Sequence, residues 1–275
     1  MLRAPEPVLV LDLIPMERAA LLALLDALPA DDWSRPTLAG DWSVKDIATH
    51  LVADDLGRLS SGRDGHQDSW EPARESFEAY IDRRNDEWVI AMRRLSPAVV
   101  RALLDFAGHE TQRHFESMDP FSLGPPVSWA GPEPAPNWLD LAREFTERWH
   151  HQQQIREAVG APLLDDPTFL APALATFAFA LVTPYREVEA PLGTNVHLRI
   201  SGPSGGDWTV TRRVGGWGLG VGRSESADAA IAMTEDTAWR MYVGAITSDE
   251  LAMRSTASGD SRLTGLMLKA FALVS

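Results

Sequence analysis

The sequence predicts an α domain followed by a smaller α+β domain: a four-helix bundle with ornaments at residues 1–162, then a mixed module at 163–275. Three observations predict it. Apolar residues recur at helical spacing through most of the first 160 positions. The long, proline-rich connection at 118–136 suits a crossover between bundle helices. After Gly160 the pattern shortens into period-two runs separated by glycine clusters.

Each element has a local cause. Leu13, Ile14, Leu21, Leu24, Leu25 and Leu28 form a helical stripe within Leu11–Leu28. Ser43 stands before Val44 as an N-cap, with Asp46 at the positive end of the helix dipole, so a second helix is expected over Val44–Leu59. A third is expected over Ala73–Leu95. A fourth begins with Pro97 in its first turn and reaches Ser117. Residues 118–136 contain six prolines and two glycines, which predicts a functional loop or a wrapping connection. Asn137 then caps a helix that closes at Gly160. Beyond the boundary, a helix is expected over Asp166–Val182, followed by strands at Val196–Ile200, Trp208–Val214, a stretch through Val221, and Asp228–Met233. Helices over Asp236–Gly244 and Ser261–Leu273 complete the module.

Composition narrows the chemistry. There is no cysteine, so a disulfide, a thiolate metal site or a cysteine nucleophile is excluded. Any metal must be held by His, Asp or Glu, and any sulfur chemistry must use an exogenous thiol. The formal net charge is −14, and no Lys/Arg cluster exceeds a pair, which argues against nucleic acid and anionic membranes as partners. The start of the chain lacks the pattern of a signal peptide. The longest uncharged run, Pro167–Tyr185, is interrupted by Pro172 and Pro184 and reads as a buried or domain-bridging helix. A cytoplasmic protein is expected.

One constellation could carry chemistry. Glu147 and His151 are four apart on a helix, so a carboxylate and an imidazole share a face one turn apart. A metal site in a bundle draws ligands from more than one helix. His50, beside the stripe of Val44, Ile47 and Leu51, is the candidate third ligand. By spacing alone, such a pair is more often a surface interaction than a metal site. His150 competes but points about 100° away from His151. Glu110 and His114 repeat the spacing and read as a solvated helix face, with His109 just before them. Two glycine motifs are set aside. Gly202-Pro203-Ser204-Gly205-Gly206 resembles a nucleophile elbow, but strand-like residues flank both sides, which makes it a hairpin turn. Gly216–Gly222 opens no helix and reads as a strand or loop with close backbone approach.

The stretch Ala39-Gly40-Asp41-Trp42-Ser43-Val44-Lys45-Asp46-Ile47-Ala48-Thr49-His50-Leu51 resembles the first signature of the thiol-dependent maleylpyruvate isomerase family, a branch of the DinB-like metal-dependent bundles. The second signature, Glu-x-x-x-His, is matched by Glu147 and His151, and the following Gln-Gln-Gln-Ile-Arg-Glu-Ala is similar to a run in DinB-like proteins. Family members often carry a C-terminal domain similar to sterol-carrier domains, which Asp228–Leu273 fits. The long loop before the last bundle helix and the triple glutamine depart from the pattern.

The resemblance implies that His50, Glu147 and His151 hold a divalent metal, zinc first and nickel second. It also implies a small thiol cofactor, mycothiol or its equivalents bacillithiol and glutathione. The metal would lower the thiol's pKa for attack on a small-molecule electrophile, giving cis–trans isomerisation if the thiol leaves and S-transfer if it stays. Arg148 and Arg262 are candidates for binding a substrate carboxylate. The expected state is a monomer or homodimer. The alternative is a non-catalytic metal- or lipid-binding regulatory protein.

Overall fold

A computed structural model describes residues 2–66 and 74–271. The chain falls into two compact units that are not consecutive in sequence. One comprises Val10–Asp119 and Glu147–Leu164. The other comprises residues up to Leu9, Pro120–Thr146 and the chain from Asp165 on. The boundary expected at 162/163 lies next to the last crossing at 164/165, while 1–9 and 120–146 join the later module.

The first unit is helical. Its elements are α1 (Leu13–Ala27), α2 (Val44–Gly57), α3 (Phe77–Met92), α4 (Pro97–Glu116) and the second half of α5 (Asn137–Val159). Helix α2 packs against α3 and α4, and α1 packs against α4. The core is the stripe expected from sequence, Leu21 and Leu25 meeting Val44, Ile47, Leu51 and Leu104, with Ile155 from α5 among them. Helix α2 ends at Gly57 and passes into a π-helical turn, Arg58–Arg63, which the sequence reading ran together with it. Helix α3 begins at Phe77, with Ser76 accepting from the Ala79 N–H. The expected start at Ala73 lies outside the described residues.

The second unit is a five-stranded sheet with helices. Strands β1 (Asn195–Ser201), β2 (Gly206–Arg213), β3 (Gly216–Val221), β4 (Ala229–Thr234) and β5 (Ser255–Gly259) stand in the order β3-β2-β1-β4-β5. The β1–β4 pair is parallel and the others are antiparallel. Along β1 and β4 the alternation buries Val196, Leu198, Ile200, Ile231 and Met233. Helices α6 (Pro167–Phe177), α7 (Glu235–Tyr242), α8 (Ser248–Arg254) and α9 (Ser261–Met267) complete the unit. The helix expected over Asp166–Val182 changes to 3₁₀ geometry at Ala178, with Leu170, Leu174, Phe177, Leu181 and Tyr185 buried. That segment is the described stretch long and apolar enough to cross a bilayer, and over half of it is buried within the protein.

Local details decide three sequence readings. Gly202–Gly205 turns β1 into antiparallel β2, so Ser204 is a buried hairpin residue and no nucleophile. Gly220 in β3 lies against Leu2 and the Arg3 carbonyl, and a Cβ there would crowd Leu2 at 3.3 Å. The proline-rich loop is a wrapping connection: Gly124 donates to the Ala135 carbonyl, Asn137 donates to that of Ser122, and Val127 and Trp129 are buried. The expected terminal helix stops at Met267, and 272–273 lie outside the described residues.

Candidate metal centre

The site begins with a helix cap. The Ser43 hydroxyl accepts from the Asp46 N–H at 3.2 Å, and the Asp46 carboxylate accepts from the Ser43 N–H at 3.0 Å. This capping box fixes where α2 starts, and therefore which face presents position 50. Arg93 clamps the same carboxylate at 3.0 and 3.2 Å. Two turns later His50 is only 3 % exposed, with the Trp42 ring 5.0 Å from its own.

Helix α5 supplies the other side. Glu147 and His151 share a face, with Oε1 to Nε2 at 3.1 Å. The His50 ring meets that of His151 edge-on, with centroids 4.6 Å apart, and His50 Nε2 is 3.8 Å from Glu147 Oε1. One donor atom from each of His50, Glu147 and His151 lies within 4.8 Å of the others. The Glu147 side chain keeps 24 % of its surface exposed, so the cluster has a solvent-facing side.

The donor set fits a divalent cation of the zinc class. Two imidazoles and a carboxylate match its preferences, and three protein ligands leave a position open. His151 Nδ1 donates to Gln154 Oε1 at 2.8 Å, which reserves Nε2 as the nitrogen that would ligate a cation. His50 Nδ1 is buried without a hydrogen-bond partner, leaving Nε2 as the nitrogen aimed at the carboxylates.

Electrostatics agree with a cluster built for positive charge. Burial opposes ionisation of Glu147, yet hydrogen bonds and charge from His151 and His50 hold its carboxyl well below the usual range. Burial likewise disfavours a charged His50, but the carboxylates of Asp54 and Glu147 outweigh it and raise the ring's pKa. His50 and Glu147 thus favour each other's charged forms, and a cation binding there would compete with the His50 proton. His150 is different. Burial, with His151 as its neighbour, pushes it down to about 3, so it is a neutral imidazole.

Sequence reasoning missed Asp54, whose Oδ2 is 3.4 Å from His50 Nε2. The signal was available, since Asp54 stands four after His50 on α2, the spacing already noted on α5. The triple glutamine has three separate tasks. Gln152 donates to Glu17, Gln153 pairs with the Leu164 backbone, and Gln154 holds His151.

The two arginines sit differently from each other. Arg148 is 3 % exposed, and its Nη2 is 2.7 Å from Asp55, which also receives Arg18 at 2.8 Å. Its guanidinium lies over the Phe115 ring. Arg262 is exposed on the first turn of α9, in the sheet-bearing unit. In the rival pair, Glu110 is engaged by Arg63 and Arg113.

The family described as "Mycothiol maleylpyruvate isomerase N-terminal domain" matches residues 15–156, just over half of the chain. Among solved structures, the mycothiol-dependent maleylpyruvate isomerase matches at 14% identity and TM-score 0.56, covering 90% of this chain and 91% of that one. A histidine-to-alanine mutant of that enzyme matches at 15% identity with the same TM-score and coverage. At that identity the two structures show a shared fold. No curated protein matches the chain.

Proposed function

Because the chain belongs to the mycothiol maleylpyruvate isomerase N-terminal domain family, we propose that it is a divalent-metal-dependent enzyme using a small thiol against a small electrophile. The observation that carries the reading is the convergence of His50 from α2 with Glu147 and His151 from α5. These three side chains hold the metal, with zinc first and nickel second. Bound there, a divalent cation lowers the pKa of a thiol so that thiolate is available at neutral pH.

The chain's own residues do the rest. Gln154 fixes the His151 ring. Trp42 covers one side of His50, and the partly exposed side chain of Glu147 marks the access side. The proposed reaction is redox-neutral. The thiolate sulfur bonds to an alkene carbon conjugated to a carbonyl, and the π pair moves onto the carbonyl oxygen. Rotation about the resulting single bond and departure of the sulfur restore the alkene as its trans isomer. If the adduct takes a proton on carbon instead, the outcome is S-transfer. Mycothiol is the thiol and maleylpyruvate the electrophile that family membership favours. For Arg148, whose Nη2 is 2.7 Å from Asp55, the proposed role is to position α5.

Elemental analysis of gently purified protein tests the metal. The expected result is near-stoichiometric zinc or nickel, lost in His151→Ala; equal metal in the variant overturns the ligand set. Mycothiol and maleylpyruvate test the reaction. Fumarylpyruvate should form only when the thiol is present, and turnover without thiol excludes the mechanism.

A further inference from the structure

In the sheet-bearing unit, two guanidiniums without partners among the described residues share one concavity. Its volume is about 300 Å³, and it lies on the sheet face opposite Val196, Leu198 and Ile200. Strand register explains why it exists. His197 on β1 stands beside Ala230 on β4 and then Ser258 on β5; Arg199 stands beside Ala232 and then Thr256. Two methyl groups therefore form the middle row, where any larger residue would fill the trough. Arg223, from the turn after β3, also lines it.

Arg199 and Arg223 are exposed, and neither has an ion-pair or hydrogen-bond partner among the described residues. The carboxylate nearest in register to Arg199 is Asp207 on β2, and its Oδ1 is committed to His197 Nε2 at 2.7 Å. His197 is itself buried, so this pair is a fixed part of the wall. In a chain with 39 acidic residues against 25 basic ones, two unpaired arginines on one cavity are a charge waiting for a counter-ion.

We propose that this concavity binds the oxyanion group, phosphate or carboxylate, of a small ligand. Arg199 and Arg223 supply forked, permanently charged donors, and the hydroxyls of Thr256 and Ser258 supply neutral ones. The site stands apart from the metal reading, because it uses no residue of the helical unit.

The test is a titration of the isotope-labelled full chain with inorganic phosphate, and separately with acetate, at ionic strength held constant with chloride. Amide signals of Ala229–Thr234 and Ser255–Gly259 should shift to saturation with a millimolar Kd. Response to phosphate alone assigns a phosphoryl ligand, response to acetate alone a carboxylate, and response to both a general oxyanion site. Arg199→Ala and Arg223→Ala should each weaken binding by at least about fivefold, and the double variant should abolish it. Both side chains are exposed, so the fold survives, and Arg199→Lys should lose less than Arg199→Ala. His151→Ala should bind the anion unchanged, which separates this site from the metal cluster. The proposal is overturned if neither anion shifts these strands by about 20 mM, or if the double variant binds as the natural chain does.

Discussion

Replacing Asp55 by Asn should loosen the pair of helices that carries the candidate ligands. Asp55 is fully buried on α2 and receives Arg18 of α1 at 2.8 Å and Arg148 of α5 at 2.7 Å. Three helices therefore meet on one carboxylate, five residues past His50 and in direct contact with the neighbour of Glu147. In the amide, one oxygen becomes an NH₂ group and one guanidinium faces a donor. Removing a partner from a buried ion pair costs about 3–5 kcal/mol. Asn keeps one acceptor, which places the loss near the lower end, about 3 kcal/mol. Total stabilities run to about 5–15 kcal/mol, so this is a large share. With a urea slope of about 2 kcal/mol/M, the midpoint should fall by about 1.5 M, followed by far-UV ellipticity. A fall below about 0.5 M at unchanged slope would refute the claim that this carboxylate ties the helices together. The companion triple variant Arg18→Met, Asp55→Leu, Arg148→Met should cost much less, because it strands no charge.

Two further predictions bear on the site's support. Gln154→Leu removes the acceptor that orients His151 and should weaken zinc affinity about 10- to 100-fold, read by competition with a chromophoric chelator; unchanged affinity would show that the ring needs no such anchor. Ser43→Ala should cost about 1 kcal/mol in thermal unfolding through loss of the cap. The same cap gives a pH signature. Burial raises the Asp46 carboxyl, but hydrogen bonds from Arg93 and Ser43 more than compensate and hold it below 3.8. Its contribution is thus complete above about pH 4 and is lost as pH falls through the folded-state value. Asp46→Asn should lose less stability on acidification than the natural chain, and parallel acid curves would contradict the assignment.

Where the sequence read well, the cause of structure lay within a turn or two of the residue concerned. Asn137–Val159 came out with the bounds that its cap and its terminal glycine predict. The hairpin at Gly202–Gly205 followed from strand-like residues on both sides. What was missed had no such signature. Strand β5, Ser255–Gly259, holds no large apolar residue and is mostly exposed, so nothing in its pattern announces a strand. Helix α8 is seven residues long, with a capping box at Thr247 and Glu250 that the reading passed over. At Gly57 the backbone widens into a π turn without a proline or other break to mark it.

The sequence by itself determined most of the helical and strand segments, the shared face of Glu147 and His151, and the cap that sets the phase of His50 along α2. Those depend on backbone geometry repeated every few residues. Only the tertiary structure decided that His50 reaches Glu147, that Asp55 takes both arginines, and that residues 1–9 and 120–146 belong with the sheet. Such pairings join groups far apart in the chain. Which of them form depends on the burial and charge balance of a whole unit, and that balance has no local pattern to read.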